Sequence, residues 1–306
     1  MTTTVTPDAL NDRFAIADAL RFDVGPGGQA RAVVTGPLAA GRVHLQGGHV
    51  THWRPIGSEP VLFLSPNAQF MPGRAIRGGV PVIFPWFGPR RDGGPGPEHG
   101  FARTAAWAVE SVGREPDGAV TVVLLLEDDA DTRAAWPHAF ALRHRVTVGT
   151  QLAMTLEVEN RGGTPFVFEA ALHTYLRVGD VGAVTVSGLA GATCVDKNAG
   201  LRRHVEDDAP LRITGPTDCM YLGTTAACVV DDPILARRLV VEKHGSASTV
   251  VWNPWAAKAA AMADLGADAW RTMLCVETAN VADDAVTLAP GAGHAMTARL
   301  ASRRGP

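Results

Sequence analysis

Phe140-Ala141-Leu142-Arg143-His144-Arg145-Val146-Thr147-Val148 is joined by Gly149-Thr150-Gln151 to Leu152-Ala153-Met154-Thr155-Leu156-Glu157-Val158-Glu159. Phe140, Leu142, His144, Val146 and Val148 fall on one face of an extended chain, with Arg143 and Arg145 on the other. Leu152, Met154, Leu156 and Val158 repeat the pattern, with Thr155, Glu157 and Glu159 opposite. Alternation with a period of two marks strands that bury one face. The three-residue link makes the two strands a hairpin.

The same reading extends outward. Residues 119–126 form a β-branched, apolar run, and further strands are expected at 164–168, 183–187, 238–244, 249–252, 273–277, 285–288 and 295–300. Helical patterns occur only at residues 7–16 and 256–265. Thirty-three glycines and 21 prolines supply the turns that many short strands require. Strands without alternating helices predict an all-β sandwich or barrel rather than a parallel α/β sheet. A single domain spanning 1–306 is expected, with loose termini at about 1–10 and 301–306; all-β sandwiches often exceed 250 residues as one domain.

Composition excludes several function classes. Net charge is −3, and no basic run exceeds an arginine pair, so neither a nucleic-acid nor an acidic-membrane partner is expected. The N-terminus lacks the basic and apolar regions of a secretory signal, and no apolar run is long enough to span a bilayer. These features predict a cytoplasmic protein. Cys194, Cys219, Cys228 and Cys275 contain no CxxC pair and are expected to be reduced, mostly buried thiols. There is no phosphate-cradling P-loop, dinucleotide fingerprint or Gly-x-Ser-x-Gly elbow. His44, His49 and His52 cluster in sequence, but Gly47-Gly48 breaks the run and no acidic partner is near, so no metal site is expected.

One segment breaks the strand rhythm. Residues 71–107 are too rich in glycine and proline for regular structure, yet they carry Arg74, Arg77, Arg90, Arg91, His99 and Arg103 among Phe84, Trp86, Phe87, Phe101 and Trp107. Disordered segments are poor in aromatics, so this reads as an ordered functional loop. Elsewhere, His173 lies in Leu172-His173-Thr174-Tyr175, and Glu277 ends the apolar run Met273-Leu274-Cys275-Val276. A buried carboxylate needs a partner or a role. Taken alone, His173 reads first as an ordinary core or surface histidine, and for Glu277 a structural ion pair competes evenly with catalysis.

Taken together, these blocks resemble the hexose-6-phosphate mutarotases, the glucose-6-phosphate 1-epimerase branch of the aldose 1-epimerase superfamily. The resemblance rests on Ala75-Ile76-Arg77-Gly78-Gly79-Val80-Pro81-Val82-Ile83-Phe84-Pro85-Trp86-Phe87-Gly88 and on His99-Gly100-Phe101-Ala102-Arg103. It is extended by Leu45-Gln46-Gly47-Gly48-His49-Val50, Ala171-Leu172-His173-Thr174-Tyr175, Thr217-Asp218 with Tyr221, Trp252-Asn253-Pro254-Trp255 with Lys258, and Cys275-Val276-Glu277-Thr278-Ala279-Asn280. It implies a galactose-mutarotase-like β-sandwich (a supersandwich) with few short helices. It also implies His173 as general acid and Glu277 as general base, Arg77 and Arg103 toward phosphate and sugar, and His99 and Asp218 lining the site. Trp86, Phe87 and Trp252 are candidates to stack on the sugar, against core packing as the alternative. One position departs: Cys219 and Met220 follow Asp218 where the family carries an arginine, which is either a phosphate contact, left for Arg74, Arg90 or Arg91 to compensate, or a structural residue whose loss is silent.

The implied reaction interconverts α and β anomers of a hexose 6-phosphate, glucose 6-phosphate foremost. It needs one acid and one base, with no metal or redox cofactor. The expected partner is a small-molecule sugar phosphate, and the expected state a monomer or weak homo-oligomer. The rival readings are an epimerase of unphosphorylated aldoses and a catalytically silent carbohydrate-binding protein.

Overall fold

The computed structural model describes residues 6–90, 93, 94 and 96–305; Arg91 and Pro95 of the functional loop lie outside the described residues. Strands dominate. A nine-stranded antiparallel sheet runs in the order Leu211–Arg212, Thr185–Ser187, Cys228–Asp232, Arg237–His244, Gly293–Arg304, Leu152–Asn160, Phe140–Val148, Val120–Glu127 and Ala108–Arg114. The predicted hairpin is its backbone, with Val148 opposite Leu152 and Phe140 opposite Asn160. Phe140, Leu142, Val146, Leu152, Met154 and Leu156 are buried, as the alternation requires. Even His144 on that face is enclosed, its Nδ1 donating to the Gly48 carbonyl at 2.8 Å.

The second large sheet follows the order Arg202–Val205, Thr193–Asp196, Thr217–Leu222, Ser248–Asn253, Met273–Asn280, Ala170–Leu172 and Val82–Ile83, with Tyr175–Arg177 also paired to Met273–Asn280. Its two faces differ in task. Cys194, Cys219, Tyr221 and Val251 join the main core, while Val195, Met220, Leu222 and Val250 form a separate apolar cluster on the other face. A four-stranded meander, Leu20–Val24, Ala30–Thr35, Ala39–His44 and His49–Pro55, closes the N-terminal side. That meander is absent from the strand expectations because its alternation is interrupted by Arg31, Arg42 and paired glycines.

The expected helices shorten to Pro7–Phe14 and Trp255–Ala260, and Ala130–Ala135 adds a third. The termini need correction. Leu10 of the first helix is buried, and Ala301 to Arg304 complete a strand that pairs with Arg237–His244, so the described parts of both stretches are packed; residues 1–5 and 306 lie outside the described residues. The cysteine reading also needs correction. Cys194 and Cys219 form a disulfide between adjacent strands, with a Cα–Cα separation of 5.8 Å, which suits such a bond. Cys228 and Cys275 are free and buried. No helix among the described residues is long and apolar enough to cross a membrane.

Residues 71–107 are ordered by their aromatics and glycines. Phe84 is fully buried against Phe101, Trp136, Phe140 and Phe168. Gly100 has φ +69° and pairs with Phe84, and a Cβ there would lie 2.0 Å from the Phe84 carbonyl oxygen. This close approach carries His99 and Arg103 back beside Arg77. Gly100→Ala is therefore expected to cost at least about 2 kcal/mol, since left-handed strain and the clash add. Denaturant unfolding measures it, and an unchanged midpoint would contradict this role for the glycine.

Candidate active site

Four segments converge on the outer face of the eight-stranded sheet. His173 and Thr174 interrupt the strand pairing opposite Val276 and Glu277, between Leu172, which faces Thr278, and Tyr175, which faces Cys275. The His173 backbone N–H donates to the Pro81 carbonyl, tying this break to the functional loop. Its ring stacks on Tyr175 at 4.8 Å and 10°, with Trp252 and His99 edge-on at 5.9 Å. Glu277 pairs with Val250 in the centre of the sheet and is 1% exposed.

His173 Nδ1 lies 3.2 Å from Glu277 Oε1. The approach is close but poorly aligned, and neither Nδ1 nor Glu277 Oε2 makes a hydrogen bond although both are buried. Burial pushes the His173 imidazole well below the usual histidine range, and His99, Arg103 and Arg77 push the same way. Burial pushes the Glu277 carboxyl well above the usual carboxylate range, with Asp218 adding and Lys197 and Arg103 opposing. The pair therefore favours a neutral imidazole and a protonated carboxyl, one proton between two groups. The imidazolium and carboxylate expected from sequence are the costlier arrangement there.

The functional loop supplies the pocket's upper wall. Arg77 donates from Nε to Asp264 Oδ2 and from Nη1 to the Tyr175 hydroxyl, both at 3.1 Å. Burial alone would lower its pKa, but Tyr175 and Asp264 outweigh burial and hold it charged. Arg103 donates from Nη2 to the Glu98 carbonyl at 2.7 Å, while its buried Nε has no partner. His99 Nδ1 accepts the Gly88 N–H at 3.1 Å, which leaves Nε2 as the protonated nitrogen. Burial, then Arg103 and Lys197, lower His99 to about 3.

The opposite wall holds Asp218 between Lys197 at 3.5 Å and Lys258 at 4.0 Å. Burial raises Asp218, and the two lysines oppose that shift. Lys197 sits on a turn capped by Asp196 Oδ1, which accepts from Asn198 N and Ala199 N. Lys258 sits on the short helix held by Asn253, whose amide donates to the carbonyls of Trp270 and Met273. Their ammonium groups lie over Phe87 and Trp252, at 5.2 and 5.8 Å.

Of the residues singled out from sequence, Arg77, His99, Arg103, His173, Asp218, Trp252 and Glu277 line this one cavity of about 380 Å³. That volume lies within the range of small-molecule sites. Trp86 does not line it. Its Nε1 donates to the Pro97 carbonyl, its ring packs on Phe101, and only its neighbour Phe87 faces the pocket. Arg74 and Arg90 do not reach the pocket either; Arg90 lies over Trp86. The substituted Cys219 points into the core beside Cys194, whereas Asp218 and Met220 face outward opposite Trp252 and Val250. The side chain at position 219 therefore lies on the sheet face away from the pocket. Lys197 was missed: it lies in an unremarkable Asp-Lys-Asn turn, and only the fold brings it to Asp218.

A larger hollow of about 540 Å³ lies at Lys243, Asn280, Asp284 and His294. Its polar groups are spent on one another, Asn280 Nδ2 donating to Asp284 and Asn280 Oδ1 meeting His294. The His173 pocket, by contrast, holds unpaired buried groups.

Comparison with known proteins points the same way. Residues 39–301 match the sequence profile of the family described as "Aldose 1-epimerase". A protein of Escherichia coli K12, described as a proposed glucose-6-phosphate 1-epimerase, is 38% identical over 272 residues, which cover 89% of this chain and 90% of that one. A protein of Salmonella typhimurium with the same description is 39% identical over 246 residues, 80% of this chain and 81% of the other. The crystal structure of a proposed mutarotase from Salmonella typhimurium superposes with a TM-score of 0.88 at 33% identity, covering 95% of this chain and 96% of that one. A galactose 1-epimerase from Lactobacillus acidophilus shares the fold, with a TM-score of 0.73 at 16% identity and 95% and 100% of the two chains covered.

Proposed function

This chain belongs to the aldose 1-epimerase family, and on that premise we propose that it interconverts the α and β anomers of a hexose 6-phosphate, glucose 6-phosphate foremost, with His173 and Glu277 as the proton-transfer pair. Ring opening takes a proton from the anomeric hydroxyl and gives one to the ring oxygen. The 3.2 Å pair holds one mobile proton, which is what this exchange requires. A phosphate dianion against Arg103 and Arg77 weakens the positive field that disfavours an imidazolium. The proton then passes from Glu277 to His173. Glu277 takes the O1 proton, His173 gives one to the ring oxygen, and rotation about C1–C2 precedes closure on the other face.

The observation that carries the phosphate reading is charge. Arg77, Arg103, Lys197 and Lys258 line the pocket against the carboxylates of Glu98 and Asp218 once Glu277 holds its proton. A positive excess survives even after Asp264 behind Arg77 is counted. Guanidinium groups bind phosphate oxygens in a planar, bidentate way. Binding energy from a group remote from C1 orients the reacting carbon. A phosphate ester does not cross membranes unaided, so such a substrate places the work in the cytoplasm.

Comparing kcat/KM for glucose 6-phosphate and for free glucose tests this reading. We expect glucose 6-phosphate to be preferred at least about 100-fold, as two charge-assisted hydrogen bonds imply. Equal values for the two sugars would replace it with an epimerase of unphosphorylated aldoses.

A further inference from the structure

Cys275 takes no part in the proposed proton transfers, yet it lies beneath them. It sits two residues before Glu277 on the same strand, so both side chains emerge on one face. Its partners across the strands are Trp252 and Tyr175, the two rings that hold His173. The ligand-type atoms of His173, Cys275 and Glu277 all lie within 4.8 Å of one another, and all three residues are buried. We propose that these three side chains form a binding site for a thiophilic divalent cation of the Zn²⁺ or Cd²⁺ class, and that the bound ion occupies the proton-transfer pair and blocks it.

Three observations support the site. Glu277 Oε2 and His173 Nδ1 are buried lone-pair donors with no hydrogen-bond partner. Cys275 is a free thiol. Nδ1 and Oε1 are already 3.2 Å apart. Zn–S of about 2.3 Å and Zn–N or Zn–O of about 2.0–2.2 Å place tetrahedral neighbours about 3.3–3.7 Å apart, so side-chain rotation of about an ångström completes the set. His173 and Glu277 also line the cavity, so an ion held by them would lie beside the substrate's place.

The donor set selects the class of ion. One sulfur, one imidazole nitrogen and one carboxylate suit a borderline-soft cation, while Mg²⁺ and Ca²⁺ demand an oxygen shell. The pocket's cations disfavour a hydrated ion held only through water. Burial holds both the Cys275 thiol and the Glu277 carboxyl protonated, so binding releases these two protons to solvent, and the thiolate and carboxylate left behind offset the ion's charge. The blocking half of the proposal rests on the function proposed above; the binding half does not.

The test uses the full chain, stripped by chelator and titrated with Co²⁺ as a spectroscopic probe. We expect one Co²⁺ per chain with a thiolate-to-cobalt charge-transfer band, displaced by Zn²⁺ and in competition with glucose 6-phosphate. Cys275→Ala should lose the band. Outer-sphere partners alone are worth about 10–100-fold in metal affinity. Loss of this ligand should therefore weaken Zn²⁺ by at least about 100-fold. Cys275→Ser, closer in volume, serves should the alanine variant not fold, and is expected to lose the same band. In the anomer-exchange assay, Zn²⁺ should inhibit the parent protein and spare the Cys275 variants. A band and affinity unchanged in these variants, or lost instead in Cys228→Ala, would overturn the site. A protein that binds Co²⁺ at Cys275 but accelerates no anomer exchange would overturn the function and leave the site standing.

Discussion

His173→Ala and Glu277→Gln are each expected to lower the rate of anomer exchange on glucose 6-phosphate by about 10²–10⁴-fold, the usual worth of one positioned proton-transfer group. Magnetisation transfer between the two anomeric protons measures the exchange, and circular dichroism checks the fold. Both variants should stay folded. His173 lies at a break in the strand pairing, where the backbone is held by its own N–H to the Pro81 carbonyl and by that of Tyr175 to the Gly79 carbonyl rather than by its ring. Glutamine keeps the shape of Glu277, and the carboxyl it replaces has an oxygen with no partner to lose. Because the two groups exchange one proton, the double variant should lose little more than the worse single one. Near-parent exchange in either folded single variant would remove that residue from the mechanism.

The second large effect is expected at Arg103. Arg103 lines the pocket and its buried Nε has no partner, whereas Arg77 is already engaged by Asp264 and Tyr175. A hydrogen bond to a charged group contributes about 1.5–3 kcal/mol. Arg103→Ala should therefore raise KM for glucose 6-phosphate by about 10- to 100-fold and change kcat little. Free glucose, which carries no phosphate, should show less than a twofold change. An equal rise for both sugars would assign Arg103 to the sugar ring or to the architecture of the loop. Arg77→Ala is the harder variant to interpret, because it also frees Asp264 and the Tyr175 hydroxyl.

The sequence disclosed the fold where alternation was clean and concealed it where polar residues interrupted it. Phe140–Val148 and Leu152–Asn160 could be paired from their pattern alone. The meander from Leu20 to Pro55 could not, since Arg31 and Arg42 break the apolar rhythm and Arg31 is held by Asp23 at 2.7 Å. The site was legible through residue types set in apolar frames, such as His173 and Glu277. It was not legible where only tertiary register decides. Trp86 and Phe87 are adjacent, and the chain's turn at Pro85 sends one ring to the core and the other to the cavity. Cys219 looked like a lost pocket residue because sequence order hides that neighbours on a strand face opposite ways. Lys197 and Lys258 meet at Asp218 from segments 61 residues apart, which no local pattern reveals.

The central claim is that this pocket passes a proton between a sugar's anomeric hydroxyl and its ring oxygen. The most direct test is the exchange rate between the α and β anomeric protons of glucose 6-phosphate at anomeric equilibrium, with and without the purified protein. The account predicts a rate that rises in proportion to protein concentration, with no net change in the α-to-β ratio. A rate equal to that of buffer at every protein concentration would contradict it.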